Sequence, residues 1–362
     1  MRPDACGWSE MSDFMKNIFL FAIVAMLLVA FGCINLGGEQ KPVPDGKTGD
    51  GNGTSVKTPK VIETGGQNFT VAANKTPDEN EGKTPGIKYE STPDDMIAIY
   101  FVYVGELDKH GDAILIKKGD VEILVDGGPS KTGEKTIDFL KTRGVDDIEL
   151  MISTHADPEH YNGLIATADE YPVEEFWWAG NTFDDGVYSS FIADMKKKTT
   201  VKAAAYGDKI EINGIKIEIL NPQKDLADRY NDVKNDAIAL KVSDRKFCAI
   251  LTSDIVVGAQ TNIIQQTGVD IKCPVMQAPY HGLGQGSAQI DLFLLKVNPK
   301  DVISSGGPAG YAYTDVSKDK IDTRKALRDK LKTRKMNYWE NYKNGTVRVV
   351  SDGTEYNVQY MK

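Results

Sequence analysis

Short, mostly apolar segments bounded by turn residues recur through residues 96–362 and constrain the fold more than any other feature. The first is IAIYFVYVG at 97–105, and the next two are separated by a turn at 118–120. Such runs predict strands. Helical patterns are interspersed in both halves of this region, at 134–142, 188–198 and 258–266. The order predicts an α/β sandwich of two sheets covered by helices.

Composition excludes several other classes of protein. The 362 residues carry 43 Lys and Arg against 52 Asp and Glu, a net charge of −9. With 26% charged and 41% hydrophobic residues, the chain is not a disordered protein, a collagen-like fibre or a polytopic membrane protein. Its 4 cysteines are too few for a disulfide-stapled mini-domain. The acidic balance argues against bulk adhesion to nucleic acid or anionic lipid.

The first 95 residues differ from the rest of the chain. The apolar run at 18–32 follows Lys16 and is shorter than the roughly 20 residues that a spanning helix needs. It predicts a signal peptide or lipoprotein-type anchor over 1–33, because Ala30-Phe31-Gly32-Cys33 resembles the lipobox of surface lipoproteins. Lipidation of Cys33 and an uncleaved signal anchor are the two alternatives. Either predicts a membrane-anchored chain whose remaining residues lie outside the cytoplasm.

Residues 34–95 are rich in Gly, Pro and Thr and poor in apolar side chains. Such a segment buries too little surface to offset its chain entropy, so it predicts a flexible stalk. The domain boundaries predicted from the sequence are therefore an anchor at 1–33, a stalk at 34–95 and one folded domain at 96–362.

The segment THADPEHYNG at 154–163 holds two of the 4 histidines of the chain. In an extended segment the alternating His155, Asp157 and Glu159 project to one side, and His160 follows directly. Imidazoles and carboxylates on one loop suit a divalent cation, and a solvated polar turn is the alternative. Three other apolar strands end close to a side chain of the same kind, namely Asp126, Asp254 and His281.

Nine segments in this order resemble the metallo-β-lactamase superfamily, and most closely the extracytoplasmic hydrolase domain of ComEC-type DNA-uptake proteins. They are GDAILI, LVDGG, THADPEHYNG, GDKIEINGIKIEILNP, NDAIALKV, ILTSD, APYHG, ISSGG and NGTVRVVSDG. The resemblance covers residues 97–357. It implies a single-domain αββα sandwich with a site for two metal ions along one edge of the sheets.

The resemblance also implies a role for each matching residue. The ligands of one metal ion would be His155 and Asp157, and those of the second Glu159, His160 and His281, with Asp254 bridging the two. Asp254 and Glu159 would thereby act in catalysis. Asp126 would be the buried carboxylate that orients ligand histidines. Asn235 stands where many members of the superfamily have a further histidine. Tyr280 would either hydrogen-bond the oxyanion or leaving group, or pack on the sheet edge.

The implied activity is that of a phosphodiesterase or nuclease that uses a hydroxide shared by two divalent ions, zinc first and manganese second. Nucleic acid would be the substrate, and no nucleotide cofactor is expected. This chain departs from the family pattern at Glu159, which replaces an aspartate, and at Tyr280, which replaces a histidine. It also lacks a histidine after His281. Two alternatives therefore stay open: a degenerate binding module at the cell surface, and a hydrolase of a lactone or thioester.

Two further segments each have two interpretations. Residues 318–335 predict an amphipathic helix with Ile321, Ala326, Leu327 and Leu331 facing inward. Its Lys and Arg residues either follow a phosphate backbone or form an ordinary solvated face. Cys248 and Cys273 either form a bridge between neighbouring parallel strands or remain two buried thiols.

Overall fold

The computed structural model describes residues 93, 95–106, 109–225, 229–266, 268–283, 291–307, 311–313, 320–322 and 324–361. The predicted anchor at 1–33 and nearly all of the predicted stalk at 34–95 lie outside these residues. Within the described ranges, no helix combines the length and the apolar character needed to cross a membrane.

Strands form the larger part of the described domain. They are β1 (Ile97–Phe101), β2 (Ile114–Lys118), β3 (Val121–Val125), β4 (Ile148–Ser153), β5 (Val173–Trp178), β6 (Thr200–Ala203), β7 (Lys209–Ile212), β8 (Ile215–Asn221), β9 (Ala239–Asp244), β10 (Phe247–Leu251), β11 (Val275–Gln277), β12 (Asp301–Ser304), β13 (Tyr311–Tyr313), β14 (Lys320–Asp322), β15 (Asn337–Glu340), β16 (Val347–Ser351) and β17 (Tyr356–Tyr360).

Seven α-helices lie between these strands in the described residues. They are α1 (Glu134–Thr142), α2 (Pro158–Glu170), α3 (Gly186–Lys198), α4 (Val257–Gln265), α5 (Asp291–Val297), α6 (Lys325–Thr333) and α7 (Asn341–Asn344). The helices predicted at 134–142, 188–198 and 258–266 correspond to α1, α3 and α4.

The strands assemble into two large sheets and a small ribbon. One sheet has eight strands in the order β17-β16-β1-β2-β3-β4-β5-β6, and the other has seven in the order β15-β12-β11-β10-β9-β8-β7. Strands β13 and β14 form the ribbon. The central pairs β3–β4, β10–β11 and β11–β12 are parallel, so the ends of these strands lie at one edge of each sheet.

Three buried apolar clusters separate the layers. On β3, Ile123 belongs to the cluster between the two sheets, and its neighbour Leu124 belongs to the cluster that packs against α1, α2 and α3. On β10, Ala249 is in the cluster between the sheets, and Ile250 is in the cluster that packs against α4, α5 and α6. Successive strand residues point to opposite faces, so both faces of each sheet are covered. The predicted αββα sandwich is confirmed.

Two features of the C-terminal half of the domain bear on the alternatives left open by the sequence, namely the two cysteines and the predicted helix over 318–335. Cys248 and Cys273 form a disulfide with a Cα–Cα distance of 5.3 Å, so they are not two free thiols. The predicted helix over 318–335 is shorter than expected, because Lys320–Asp322 pairs with Tyr311–Tyr313 as a strand and the helix begins at Lys325.

Within this shorter helix, the predicted inward face is only partly correct. Leu327 and Leu331 are buried as predicted, and they lie four residues apart on one face of α6. Ala326 is exposed, because its position on the helix is about 100° away from that of Leu327. The apolar face of α6 is therefore a narrow stripe, and Ile321 lies on β14 instead of on the helix.

Candidate metal centre

Side chains that can bind metal ions gather where strands of both sheets end. Asp126 directly follows β3, and His155 comes just after the parallel neighbour β4. In the other sheet, Asp254 follows β10, and His281 follows the parallel neighbour β11. Nε2 of His160, from the first sheet's edge, lies 3.5 Å from Oδ1 of Asp254. The two sheet edges therefore contribute to one site.

The segment after β4 is not the polar loop, with residues 155, 157 and 159 projecting to one side, that the sequence predicted. It becomes helix α2 at Pro158, with Asp157 as the N-cap, whose Oδ1 accepts a hydrogen bond from the Glu159 N–H at 2.9 Å. The alternation of a strand therefore stops at Asp157. The Glu159 carboxylate accepts the backbone N–H of His110 at 3.2 Å instead of joining the ligands. His160, one residue further along the helix, points toward the metal-binding side chains instead.

Two groups of side chains in this region could hold a metal ion, and they share Asp254. Within each group, one ligand atom from every member lies within 4.8 Å of the others. The groups are Asp112, His160, Asp254 and His281, and His155, Asp157 and Asp254. The structure thus brings together His155, Asp157, His160, Asp254 and His281, as the resemblance implied. It leaves out Glu159 and adds Asp112.

Each of the three histidines in these groups is held through Nδ1. This atom lies 2.9 Å from Thr154 Oγ1 in His155, 2.8 Å from Asp126 Oδ2 in His160 and 3.1 Å from the Ser305 carbonyl oxygen in His281. A carbonyl or carboxylate oxygen only accepts, so Nδ1 of His160 and of His281 is the protonated nitrogen. When these two rings are neutral, the proton is on Nδ1 and the Nε2 lone pair is available to bind a metal ion.

The Nε2 atoms of all three rings are buried without a hydrogen-bond partner, and so is Oδ1 of Asp254. Unpartnered buried polar atoms are rare in proteins, and four in one place require a reason. Histidines that bind metal ions normally donate their other ring N–H to a carboxylate or carbonyl, which is the arrangement here. The donor set of imidazole and carboxylate fits a divalent transition-metal ion.

Two fully buried aspartates support the rings from behind. Asp126 accepts hydrogen bonds from the Thr154 N–H at 2.8 Å and the Thr154 hydroxyl at 2.7 Å, besides its contact with His160. Its position agrees with the orienting role implied by the resemblance. Asp112 was not predicted, although it belongs to the GDAILI segment. Its carboxylate oxygens lie 3.5 Å from His281 Nδ1 and 3.7 Å from His160 Nδ1.

Burial and charge oppose each other in this site. Burial alone would lower the pKa of His160, but the charges of Asp254 and Asp126 raise it well above its ordinary value. For His281, burial is likewise outweighed by Asp254 and Asp112, which raise the pKa. Burial would raise the pKa of Asp254, but His281 and His160 hold it well below its usual range. In contrast, burial lowers the pKa of His155 to about 3.

Four residues around the site have a left-handed backbone that is uncommon outside glycine. The φ angles are 58° at Asp126, 47° at Ser253, 50° at Tyr280 and 53° at His281. Such conformations persist where the surrounding structure holds them, and they are frequent at functional sites. At the two consecutive positions 280 and 281, they turn the chain after β11 so that His281 faces Asp254 at 3.1 Å.

A cleft of about 640 Å³ opens over the ligands. Its wall includes Lys109 and His110 from the loop between β1 and β2, and also Lys234, Tyr280 and Glu159. The wall therefore combines positively charged, carboxylate and aromatic side chains. His110 was not predicted, because nothing local links a histidine in the loop before β2 to a site formed by distant strand ends. The His110 ring stacks on that of His281, with centroids 5.2 Å apart.

Two further residues have positions that the sequence did not predict. Asn235, expected near the ligands, accepts a hydrogen bond from the Ala259 N–H at 3.0 Å and so supports the start of α4. Arg324 is buried at the start of α6, where its Nε donates to the His281 carbonyl oxygen at 3.0 Å. A buried arginine before a helix gives no local sequence signal for this role.

The basic residues of α6 and its C-cap Arg334 are largely used in ion pairs. Arg328 pairs with Glu340 at 2.6 Å, and both Lys330 and Arg334 approach Asp291, at 3.3 and 3.0 Å. These contacts favour the solvated-face interpretation of the segment over a track for a phosphate backbone.

Comparison with known proteins gives distant relatives. No family model matches the sequence. The chain is 24% identical over 190 residues to ComE operon protein 3 of Bacillus subtilis (strain 168). This alignment covers 49% of this chain and 23% of that protein. The chain thus corresponds to less than a quarter of the length of this curated relative.

Among solved structures, YhfI from Bacillus subtilis, a metallo-beta-lactamase fold protein, is similar, with 10% identity and a TM-score of 0.45. That alignment covers 73% of this chain and 100% of YhfI. CmlA, a diiron beta-hydroxylase from Streptomyces venezuelae, has 10% identity and a TM-score of 0.46, over 75% of this chain and 55% of CmlA. The sequence match to ComE operon protein 3 agrees with the ComEC-type resemblance carried by the ordered segments.

Proposed function

We propose that this chain is a metal-dependent hydrolase of phosphodiesters, tethered at the outer face of a membrane. One observation carries the proposal: the buried Nε2 atoms of three histidines and Oδ1 of Asp254 converge without hydrogen-bond partners. A divalent ion held there supplies Lewis acidity, which activates water near neutral pH and stabilises developing negative charge.

The residues around the ligands support this chemistry by orientation. Asp126 and the Ser305 carbonyl oxygen accept the Nδ1–H of His160 and of His281, and these contacts direct the Nε2 lone pairs toward Asp254. Because both rings are fully buried, they cannot rotate toward solvent. Held ligands reduce the reorganisation needed when charge develops at the substrate.

A phosphodiester is the proposed substrate because the cleft places positive charge next to the ligands. Lys234 and Lys109 line it, and an ammonium group binds a phosphate oxygen as a point charge. Tyr280 lies on the same wall and can donate its hydroxyl hydrogen to an oxyanion. Nucleic acid is the proposed source of the phosphodiester, since the ordered segments resemble those of DNA-uptake proteins.

The test compares purified full-length protein with Asp254→Ala, before and after chelation and readdition of zinc or manganese. Hydrolysis is measured on a phosphodiester chromogen, single-stranded DNA, a lactone and a thioester. We expect metal-dependent cleavage of the phosphodiesters that Asp254→Ala abolishes. Asp270→Ala, which removes an exposed carboxylate that belongs to neither ligand group, is the matched control. Cleavage of the lactone or thioester alone would contradict the substrate proposal, and absence of bound metal would contradict the metal-dependent hydrolase.

The membrane tether is a separate part of the proposal. The apolar run that ends at Cys33 supports it, and the Cys248–Cys273 disulfide supports an oxidising compartment. Fractionation and mass spectrometry of the mature chain test it. We expect a lipidated Cys33 in the membrane fraction and a loss of lipid in Cys33→Ser. Recovery of unmodified, uncleaved chain in the cytosol would contradict the tether.

A further inference from the structure

The two oxygens of Asp254 have different surroundings. Oδ1 lies 3.1 Å from Nε2 of His281 and 3.5 Å from Nε2 of His160. Oδ2 lies 3.8 Å from Nε2 of His155, but it is only 2.7 Å from Nζ of Lys234. The second ligand group, defined by His155, Asp157 and Asp254, therefore already has a cation on its shared oxygen.

Lys234 is fixed in this position from several sides. Its Nζ lies 4.0 Å from Oδ2 of Asp157 and 4.1 Å from the centre of the Tyr280 ring, besides its bond to Asp254. The side chain is 29% exposed, so its stem is largely packed. An ammonium between two carboxylates and over an aromatic face satisfies the charge of the group that would otherwise hold a second ion.

From these contacts we infer that the Lys234 ammonium replaces the second metal ion, so that the centre binds one divalent cation on the Oδ1 side of Asp254. The inference rests on the proposed metal centre and narrows the two-ion arrangement implied by the resemblance. The physical reason is charge: an ammonium and a divalent cation on the same carboxylate oxygen repel each other strongly in a buried site. On the Oδ1 side, the neighbouring nitrogen atoms are Nε2 of His281 and of His160, and an imidazole can release its proton and bind the ion.

The replacement also gives Lys234 a role toward substrate. Its Nζ lines the cleft and stands beside the ligands of the bound ion. From there the ammonium can pair with one phosphate oxygen while the bound ion holds another. In a two-ion site, the second metal ion would neutralise the charge of that oxygen. One divalent ion and the Lys234 ammonium would then each face one phosphate oxygen, in the places that a pair of metal ions would take.

The experiment counts metal ions in full-length protein by elemental analysis after equilibration with manganese. We expect about one equivalent in the wild type and about two in Lys234→Met, which keeps the stem but removes the charge. Electron paramagnetic resonance gives a second readout: isolated Mn²⁺ in the wild type and a spin-coupled pair in Lys234→Met.

Three further variants make the count specific. Lys234→Arg keeps the charge and should stay at one equivalent, as should Lys109→Met, which removes another cleft ammonium. Adding His155→Ala to Lys234→Met should bring the count back from about two to about one. Two equivalents in the wild type, or one in Lys234→Met, would overturn the inference while leaving the metal centre intact. No bound metal in any form would instead contradict the proposed function.

Discussion

The two sides of Asp254 use the same kinds of residue in opposite electrostatic settings. On the Oδ1 side, His160 and His281 have the carboxylates of Asp126 and Asp112 behind them, and their pKa values are raised. On the Oδ2 side, His155 has hydroxyl groups behind it and a pKa of about 3, and Lys234 stands in front. The comparison teaches that the number of ligand-type residues does not give the number of metal ions. The charge around each ligand group decides whether that group can accept an ion.

The largest expected effect separates the two sides directly. His160→Ala removes a predicted ligand on the Oδ1 side, and we expect metal affinity to fall more than about 100-fold. This loss exceeds the one expected when only a residue that orients a ligand is removed. His155→Ala removes a side chain from the group occupied by the ammonium, so affinity should change by less than about 10-fold. Isothermal titration of both variants with zinc measures this. Equal losses in the two variants would mean that the sides are equivalent.

A smaller effect is expected from the carboxylate behind His160. Asp126→Asn keeps the shape but removes the charge that holds the ring, so we expect metal affinity about 10- to 100-fold weaker. The same titration checks it. Asp301→Asn, a substitution at a buried aspartate that contacts Tyr356 and Trp339 instead of a metal-ligand histidine, is the control for general destabilisation. Full affinity in Asp126→Asn would contradict its role in orienting the ring.

The raised pKa values also predict how the metal-free protein responds to pH. His160 and His281 have a higher pKa in the folded protein than their ordinary 6.5, so their contribution to stability is complete below pH 6.5 and is lost as pH rises through the folded values. We expect the unfolding temperature of chelated protein to fall as pH increases above 6.5.

His155 has the opposite sign. Its folded pKa of about 3 lies below the ordinary value, so it costs stability as pH falls below 6.5. Calorimetry of the chelated wild type and His160→Ala separates the contributions of the histidines. The unfolding temperature of the variant should fall less above pH 6.5 than that of the wild type. An unfolding temperature of the chelated wild type that rises with pH in this range would refute the assignment.

The smallest effect is expected at Glu159. Its carboxylate accepts the His110 N–H and belongs to neither ligand group, so Glu159→Asp should leave the metal content unchanged. Elemental analysis of the variant beside the wild type checks this. A gain of metal in Glu159→Asp would restore the ligand role that the sequence resemblance implied and would weaken the contrast between the two sides.

The sequence predicted those features that depend on neighbouring residues. Apolar runs such as those of β3 and β10 form strands because their side chains are buried on both faces, and the polar residues that follow mark where the strands end. Asp126, His155, Asp254 and His281 were identified in this way. The order of the segments then supplied the sandwich architecture by resemblance.

Other features escaped the sequence because their signal is local and ambiguous. A polar loop was predicted at 154–163, although Asp157-Pro158 is also a helix start. This start moves Glu159 away from the ligands and His160 inward. Asp112 precedes an apolar strand, a position where aspartate is common as a turn residue. Lys234 lies in a polar loop with no pattern at all.

What the sequence alone determined is therefore the central strands of the two large sheets, the layers and the residues at the ends of those strands. What only the tertiary structure decided is how the site is charged: that Asp112 stands behind two histidines, that Asn235 supports a helix, and that Lys234 reaches Asp254. The physical reason is range. Strand formation and burial follow from residues close along the chain, whereas electrostatic interactions depend on distances between segments that only the packed sheets bring together.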